Sequence, residues 1–309
     1  MTDTRHVVTV IGDMNVDVSL AIDAWPHEGG DVLAHGVTWS SGGTGLNCAV
    51  AIARFGYAVR LWSRVGRDPA ADQVRNTARD AGVDIETVQY DATEATGLCI
   101  IPVTPGGERT FLSARGANVQ WHAPNQPTDV AGWLHVCGHA LLADPQRAQT
   151  IAALRRAHAA GWQTSLDLCD PLAPLVIPIL AQLDAPLTVL MGNEREVAAV
   201  PRALGSYAEM IVTKRGARGA AVSIGAERIT HPGYVVDAID TTACGDTFGG
   251  VFCSALFHGA SVVDALAVAN AAGALTASRR GAADIEPTRR EICRFLSDNQ
   301  QTLPLWLTQ

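Results

Sequence analysis

A short segment in the last third of the chain carries residues whose types and spacing suit a group transfer. Residues 240–246 read Asp-Thr-Thr-Ala-Cys-Gly-Asp, and the apolar residues behind them recur at helical spacing, so we predict that a helix begins near Gly245. The apolar run Tyr234–Val236 before the segment is typical of a strand. The segment is therefore predicted to be a tight turn of small residues that opens a helix and ends on the carboxylate of Asp246.

The start of a helix suits an anion, because its first backbone N–H groups are unpaired and carry partial positive charge. A carboxylate such as Asp246 would repel an anion at that place. The two features are compatible if the carboxylate takes a proton from a hydroxyl while the N–H groups hold the charge of a migrating phosphoryl group. The alternative is an Asp that caps a helix after a glycine turn.

A second segment, residues 41–56, reads Ser-Gly-Gly-Thr-Gly-Leu-Asn-Cys-Ala-Val-Ala-Ile-Ala-Arg-Phe-Gly. It predicts a glycine-rich turn, an amphipathic helix and a glycine stop. Together the two segments resemble the signatures D-T-x-x-x-G-D and G-G-x-x-x-N-x-A of the PfkB/ribokinase family of carbohydrate and nucleoside kinases. Further matches run from Gly12 to Pro287, so the resemblance covers nearly the whole chain.

The composition speaks against several other classes of function. The chain has 309 residues, and its 31 acidic against 23 basic side chains give a net charge of −8. This balance gives no support for nucleic acid or a membrane surface as partner, and no apolar run approaches a membrane span. The seven cysteines stand singly, which indicates reduced thiols and predicts a cytoplasmic protein. No Walker-type G-x-x-x-x-G-K-[ST] loop is present.

Strand-like runs alternate with helical patterns along most of the chain, which predicts a parallel sheet with helices on both faces. The predicted strands are His6–Ile11, Val59–Val65, Gly97–Val103, Arg109–Ser113, Leu134–Cys137, Gln163–Leu168, Leu187–Met191, Met210–Thr213 and the hairpin Gly219–Ser223 with Arg228–Thr230. The predicted helices are Gly43–Phe55, Ala70–Ala81, Pro145–Ala160, Glu194–Ala199, Gly245–His258, Val262–Arg279 and Arg289–Asn299.

Two stretches, 16–39 and 97–113, are rich in strand signals and lack helices. The resemblance implies an α/β fold, a ribokinase-like three-layer α/β/α sandwich with a mostly parallel sheet, in which these stretches form a small β-sheet lid. It also implies that residues 1–309 are a single kinase domain and that two copies form a homodimer through the lid. A lid is physically sensible because excluding water from the site prevents ATP hydrolysis.

The resemblance also assigns the catalytic residues. Asp246 deprotonates a substrate hydroxyl, and the N–H groups of Ala243, Cys244 and Gly245 form the anion hole. Cys244 stands where the family usually has Ala or Gly. A catalytic thiol is the alternative for Cys244, although the sequence offers no basic partner that would lower its pKa.

The sugar site is expected beyond the first strand, because ligands of open α/β sheets bind at the carboxyl ends of strands. Asn15 and Asp17 alternate and can share one face, and an amide with a carboxylate suits a polyol. In the family, residues matching Asn15, Asp17, Gly43 and Asn47 hold the sugar, while Gly42 and Gly43 permit close backbone approach. A turn stabilised by Asx hydrogen bonds is the alternative at this strand end.

Several positions bear on the choice of substrate. His139 stands where ribose kinases of the family carry a sugar-binding Glu, and Thr44 where they carry Lys, so both argue against ribose itself. His139 is either a sugar ligand or a loop histidine. Arg109 or Arg115 either reaches a sugar oxygen or a carboxylate, or is an exposed strand charge. Residues 168–170 lack the Arg of keto-deoxy-gluconate kinases, which disfavours a sugar acid.

The resemblance implies ATP and Mg²⁺ as cofactors. Asn193 and Glu196 match the N-x-x-E motif that acts near Mg²⁺ and the phosphates, mostly through water, and Mg²⁺ prefers such oxygen ligands. The same pair also reads as a helix capping box, and both interpretations can hold. The loop 279–284 and the backbone near Asp240 and Thr242 resemble the site of a monovalent cation, so K⁺ is a further implied cofactor.

The rest of the implied ATP site lies in two later segments. Lys214 follows a strand and is expected near the phosphates as a point charge, with Gly216 and Gly219 along the nucleotide. For the glycines, a simple turn into a hairpin is the alternative. Asn270 is expected at the adenine edge.

We predict an ATP-dependent kinase that phosphorylates a hydroxymethyl group of a small sugar or sugar derivative. The first alternative is a nucleoside kinase of the same family, which would need aromatic or apolar walls around the base. The aromatic residues available for such walls are Trp25, Trp39, Phe111 and Trp121. The second alternative is a non-catalytic sugar or nucleotide sensor, which would have no need of the base Asp246.

Overall fold

The computed structural model describes residues 7–124, 132–200, 202–301 and 303–308. The strands are β1 Val7–Ile11, β2 Asn15–Ile22, β3 Ala34–Gly42, β4 Val59–Trp62, β5 Arg64–Val65, β6 Gln89–Tyr90, β7 Gly97–Val103, β8 Leu112–Ala114, β9 Gly132–Cys137, β10 Gln163–Asp167, β11 Leu187–Asn193, β12 Ala208–Lys214, β13 Ala220–Ile224 and β14 Glu227–His231. The helices are α1 Thr44–Arg54, α2 Pro69–Asp80, α3 Gln146–Ala159, α4 Val176–Leu180, α5 Glu194–Ala199, α6 Cys244–Phe257, α7 Val262–Ala277, α8 Arg289–Asp298 and α9 Leu305–Thr308.

A large sheet forms the middle of the fold, with its strands in the order β14-β13-β12-β11-β10-β9-β1-β4. The strands from β12 to β4 run parallel, and β13 and β14 add an antiparallel hairpin at one edge. Parallel neighbours need long crossover connections, and the helices between these strands supply them. The predicted parallel sheet is therefore confirmed.

Apolar side chains of the sheet pack into two clusters, one on each face. Val8 and Val10 of β1 belong to the cluster that contains Phe252 of α6, whereas Ile11 belongs to the cluster that contains Leu154 of α3. Successive strand residues point to opposite faces, so β1 contributes to both apolar clusters and has no solvent-exposed face. The result is the predicted three-layer arrangement of helix, sheet and helix.

A second sheet of four strands, here called the small sheet, has the order β3-β2-β7-β8. Its strands fall in the two stretches in which strands without helices were predicted, 16–39 and 97–113, and extend slightly beyond them. Asn15, at the start of β2, lies between Gly42 of β3 and Gly97 of β7. Asp17 lies on the same face of β2, because residues two apart share a face.

Several predicted elements differ in detail from the structure. The predicted strand Tyr234–Val236 is wrong: residues 232–238 form no strand, and Val235 is fully exposed. The predicted strand Val59–Val65 is two strands, because β5 leaves the large sheet and pairs with β6. The predicted strand Arg109–Ser113 begins only at Leu112, and His6 lies outside the described residues. No helix in the described ranges has the length and apolar character needed to cross a membrane.

The parallel strands place polar residues along one edge of the large sheet. β12, β11 and β10 end at Lys214, Asn193 and Asp167, and these strands are neighbours in the sheet. β9 ends at Cys137, and the turn that carries His139 follows directly. β1 ends at Ile11, two residues before Asp13. Ligand sites of open α/β sheets form outside the carboxyl ends of the strands, so the strand order assembles this edge from distant segments.

Candidate active site

A cavity of about 810 Å³, here called the site cavity, lies between this edge and the small sheet. This volume is within the range of small-molecule sites. The predicted residues that line it are Asn15, Asp17, Gly43, Asn47, Arg109, His139, Asn193, Glu196, Thr242, Ala243 and Asp246. The predicted residues outside its lining are Gly42, Lys214, Gly216, Gly219, Asp240, Cys244, Gly245 and Asn270. A cavity of similar volume, about 830 Å³, lies beside α3 and α4 and holds none of the predicted residues.

The turn before α6 has the backbone geometry of an anion site. Ala243 caps the helix with φ +62°, a left-handed conformation that a residue with a side chain adopts at some cost. The Cys244 N–H reaches the Thr241 carbonyl oxygen only at 3.4 Å. Within the described residues, no hydrogen bond engages the N–H of Ala243 or Gly245. The turn therefore presents donors of the kind that the predicted anion hole requires.

Asp246 follows in the first turn of α6 and is buried. Burial raises the pKa of its carboxyl to about 7, because the charged form loses its hydration. The Nδ2 of Asn47 donates to its Oδ2 at 2.9 Å and acts in the opposite direction, lowering the pKa. A carboxyl with a pKa near 7 is suited to take a proton at neutral pH. Asn47 was predicted as a sugar ligand, and the structure makes it the hydrogen-bond partner of Asp246.

Lys214 and Asp167 form a buried ion pair beside the turn. The Lys214 Nζ lies 2.7 Å from both carboxylate oxygens of Asp167 and 3.5 Å from the carbonyl oxygen of Gly245. Burial opposes the ammonium charge, but Asp167 and the nearby Asp246 and Glu196 outweigh it and raise the pKa of Lys214. Sequence reasoning missed Asp167 as a site residue, although an acid at the end of a parallel strand was the available signal.

Asn15 and Asp17 of β2 line the cavity from the small sheet, and their binding of a sugar stays a prediction. Burial raises the pKa of Asp17 to about 7. Gly42 leaves room for this carboxylate, since a Cβ built on Gly42 would lie 2.1 Å from Asp17 Oδ2. Gly43 has φ +93°, and its Cβ would lie 2.5 Å from the carbonyl oxygen of Asp13. The two glycines thus allow close approach of protein atoms.

Arg115 forms an ion pair with Asp13. Its Nε and Nη2 donate to Asp13 Oδ2 and Oδ1 at 2.7 and 2.8 Å, and Nη2 also donates to Gln146. Asp13 in turn accepts from the N–H groups of Gly45 and Leu46 through its carbonyl oxygen, at 3.1 and 3.2 Å. Arg115 therefore fixes the end of β1 against the start of α1. The sequence suggested a sugar oxygen or a carboxylate as the partner of Arg115. In the structure its partner is the carboxylate of Asp13.

His139 and Arg109 both line the cavity. Burial lowers the pKa of His139. The nearby charge of Asp13 acts to raise this pKa, and that of Arg115 acts to lower it. Arg109 places Nη1 2.9 Å from Asp240 Oδ1. This ion pair joins the small-sheet side of the cavity to the 240–246 segment, which the sequence did not reveal.

Asn193 and Glu196 form the capping box that the sequence predicted. The Glu196 N–H donates to Asn193 Oδ1 at 2.9 Å, and the Asn193 N–H donates to Glu196 Oε2 at 2.7 Å. Both residues also line the site cavity, and burial raises the pKa of Glu196. Their oxygen atoms are suited to Mg²⁺, directly or through water.

The remaining predicted nucleotide residues serve local structure. Gly216 and Gly219 have φ +57° and +74° in the turn from β12 into the hairpin. Asn270 is buried in α7, where its Nδ2 donates to the Leu266 carbonyl oxygen at 2.7 Å. A contact of these residues with ATP stays a prediction.

Cys244 and Asp240 also have local roles in this turn. Burial raises the pKa of the Cys244 thiol to about 12, which disfavours a thiolate nucleophile there. Asp240 Oδ1 accepts from the Thr242 N–H at 2.8 Å, and its Oδ2 accepts from the Gly281 N–H at 3.4 Å. The structure thus joins the two segments that the sequence assigned to a cation site.

The sequence profile of the pfkB family carbohydrate kinases matches residues 5–289. The chain belongs to the PfkB family. Among curated proteins, the ATP-dependent ribose-1-phosphate kinase of Halopiger xanaduensis is 32% identical over 294 residues, covering 93% of this PfkB kinase and 97% of the relative. The ribokinase of Haemophilus influenzae is 30% identical over 311 residues, covering 94% and 99%.

Solved structures of similar fold include two kinases. Arabidopsis thaliana ribokinase, complexed with ribose and ATP, has a TM-score of 0.78 at 23% identity, with 94% of this PfkB kinase and 98% of that chain covered. Burkholderia thailandensis nucleoside kinase, in complex with inosine, has a TM-score of 0.82 at 20% identity, covering 95% and 97%. The predicted ribokinase-like fold is confirmed, and the PfkB kinase is an ATP-dependent phosphotransferase.

Proposed function

We propose that this PfkB kinase phosphorylates a hydroxymethyl group of a small sugar, with residues 1–309 acting as one kinase domain and the small sheet as its lid. The observation that carries the proposal is the position of Asp246. Its buried carboxyl has a pKa near 7 and lines the same cavity as Asn15 and Asp17. The proposed base and the two residues suited to a polyol therefore line one cavity.

The proposed reaction follows from this arrangement. Asp246 accepts the proton of the substrate hydroxyl, and the hydroxyl oxygen attacks the γ-phosphorus of ATP. The bond from that phosphorus to the oxygen bridging the β-phosphate breaks, and ADP leaves. The N–H groups of Ala243, Cys244 and Gly245 stabilise the charge on the phosphoryl group, because they are already oriented by the turn. Most of the rate enhancement comes from positioning and charge stabilisation.

Mg²⁺ and K⁺ complete the proposal. Mg²⁺ would be held by the ATP phosphates and by Asn193 and Glu196 through water, which suits its preference for oxygen ligands and retained waters. It would neutralise charge on the phosphates. K⁺ would bind to backbone oxygens near Asp240 and Thr242, where the hydrogen bond between Gly281 and Asp240 brings the loop 279–284 close.

The aromatic residues around the cavity favour a sugar over a nucleoside. Trp121 is fully buried against Trp62, away from the cavity lining. Trp25 and Trp39 are half exposed or more and do not line the cavity either. Of the four aromatic residues considered for a base-binding wall, only Phe111 lines it. A nucleoside remains the second candidate, since the Burkholderia kinase of similar fold was solved with inosine.

The outer face of the small sheet supports the proposed homodimer. Trp39, Val18, Ile100 and Leu112 form one row across the sheet by their pairing register. Trp39 and Leu112 at the ends of this row are 63% and 50% exposed, whereas Val18 between them is buried in the core. Exposed apolar patches mark interaction surfaces. A Trp39→Lys variant should shift the mass measured by light scattering from dimer to monomer, and a monomeric wild type would contradict the proposal.

The deciding experiment is coupled ADP release with Mg-ATP, with and without K⁺, against ribose, fructose, ribose 1-phosphate and inosine. Turnover with a sugar supports the proposal, and turnover with inosine alone selects the nucleoside kinase. The Asp246→Asn variant should lose turnover while it still binds ATP. It should also unfold at a higher temperature than wild type at pH 8, because a buried ionised carboxylate is removed. Absence of turnover in the wild type despite ATP binding would favour the sensor.

A further inference from the structure

A fully buried asparagine, Asn118, lies directly behind the proposed sugar site. It belongs to the helical turn Gly116–Gln120 and contacts the start of β2. Its Oδ1 accepts from the Met14 N–H at 3.0 Å, and its Nδ2 donates to Asn15 Oδ1 at 3.0 Å. Asn118 itself does not line the site cavity, whereas Asn15 does.

The hydrogen-bond pattern fixes which way both amides face. A backbone N–H can only donate, so the Met14 N–H requires the oxygen of Asn118. The NH₂ group of Asn118 then points towards Asn15 and towards the carbonyl oxygens of Met14 and Arg115, at 3.3 and 2.9 Å. Asn15 must turn its own oxygen to this NH₂ group. Its NH₂ group takes part in no hydrogen bond of the described residues and is left for the cavity.

The neighbouring strand leaves space for this contact. A Cβ built on Gly97, which is paired with Asn15, would lie 2.0 Å from Asn15 Oδ1 and 2.5 Å from Asn118 Nδ2. Real Cβ atoms do not approach that closely, so any residue with a side chain at this position would separate the two amides. The φ of Gly97 lies outside the left-handed region, so the requirement for glycine here comes from the space and not from the backbone conformation.

We propose that Asn118 is a positioning residue for substrate specificity, and this inference rests on the proposed function. It sets Asn15 as a hydrogen-bond donor, while Asp17, in its ionised form, is an acceptor. The two side chains then select a substrate that offers one accepting oxygen and one donating hydroxyl, as adjacent hydroxyls of a sugar do. A deoxy sugar that lacks the accepting oxygen leaves the Asn15 NH₂ group unpaired in the complex and binds more weakly.

The test is the Asn118→Asp variant. In its ionised form the new carboxylate still accepts from the Met14 N–H but cannot donate to Asn15, so at a pH above its pKa the Asn15 amide turns and presents its oxygen to the substrate. Burial raises the pKa of the new carboxyl, so the kinetics are followed up to alkaline pH. We expect the sugar KM to rise about tenfold or more, with kcat and the ATP KM nearly unchanged. The loss of affinity that wild type shows for one deoxy analogue should become smaller in the variant, because the turned Asn15 pairs with the hydroxyl only if the hydroxyl donates. A residue that serves only stability would not change this discrimination.

A second variant and a control guard against a folding defect. Gly97→Ala retains both amides and places a methyl group between them, so it should reproduce the change in KM. Ser63→Ala removes only a second donor to Asn118 Oδ1, at 3.1 Å, and should leave the deoxy discrimination intact. Folded Asn118→Asp and Gly97→Ala variants with wild-type sugar KM and discrimination would overturn the inference.

A readout without substrate separates this inference from the proposed function. In ¹H–¹⁵N spectra, the side-chain amide signal of Asn15, assigned by its loss in Asn15→Asp, should shift in Asn118→Asp and stay in place in Ser63→Ala. An unshifted signal overturns the inference whatever the substrate is. If the signal shifts but the protein phosphorylates no sugar, the inferred orientation of Asn15 is supported. In that case only the proposed sugar kinase function is refuted.

Discussion

Replacing Asn47 with leucine removes a hydrogen bond that opposes the effect of burial on the pKa of Asp246. Asn47 Nδ2 donates to Asp246 Oδ2 at 2.9 Å, and a hydrogen bond to the ionised form of an acid lowers its pKa. Such a bond to a charged group contributes about 1.5–3 kcal/mol, and one pKa unit corresponds to about 1.4 kcal/mol. Asn47→Leu should therefore raise the pKa of Asp246 from about 7 by roughly one to two units.

The proposed base, Asp246, has to be ionised to accept a proton, so the acid limb of the kcat profile should move to higher pH by the same amount. At pH 7 the ionised fraction falls from about one half to between roughly one tenth and one hundredth, while turnover largely recovers near pH 9.5. Coupled ADP release at saturating sugar and ATP measures this, with the coupling enzymes in excess at each pH. The sugar KM is followed separately, because Asn47 is also a proposed ligand. An equal loss of kcat at every pH, with the limb unmoved, would refute the reasoning.

Two further substitutions test the sugar site and the buried ion pair. Gly42→Ala places a Cβ about 2.1 Å from Asp17 Oδ2, so the carboxylate must move and the sugar KM should rise at least tenfold. The control is Gly36→Ala on the same strand, whose Cβ meets no atom within 4 Å and which should leave the sugar KM unchanged. Equal effects of the two substitutions would contradict this prediction. Lys214→Met leaves the Asp167 carboxylate buried without its cation and should lower the free energy of unfolding by about 3–5 kcal/mol, measured by urea titration. An unchanged unfolding midpoint would show that the pair contributes little.

Local patterns were sufficient to predict most of the elements. The strand Gly97–Val103 was predicted with the bounds that the structure has, and α6 begins one residue before the predicted Gly245. Apolar periodicity, glycine stops and helix starts are local properties of the chain, so a sequence window contains them. Tyr234–Val236 has the same apolar character and yet forms no strand. A strand also requires a neighbour with free backbone groups, and no sequence window reveals that neighbour.

The partners of the site residues were harder to predict than the residues themselves. Arg115 was considered for a substrate oxygen, and it pairs with Asp13, 102 residues away in the chain. Lys214 was expected at the phosphates, and it pairs with Asp167, 47 residues away. Such pairs depend on which strands are neighbours at the carboxyl edge of the sheet. The strand order is a property of the whole fold, so the type and spacing of the residues did not contain it.

The cation partners also separate the acids of the site into two groups. Asp13, Asp167 and Asp240 each hold a cationic side chain, and these pairs fix the segments around the cavity. Asp17 and Asp246 line the cavity with no cation partner in the described part of the chain, and burial raises the pKa of both to about 7. A carboxylate already bound to a cation is a poor base and has few free lone pairs. The absence of such a partner is therefore what leaves Asp246 able to take a proton and Asp17 able to accept from a hydroxyl.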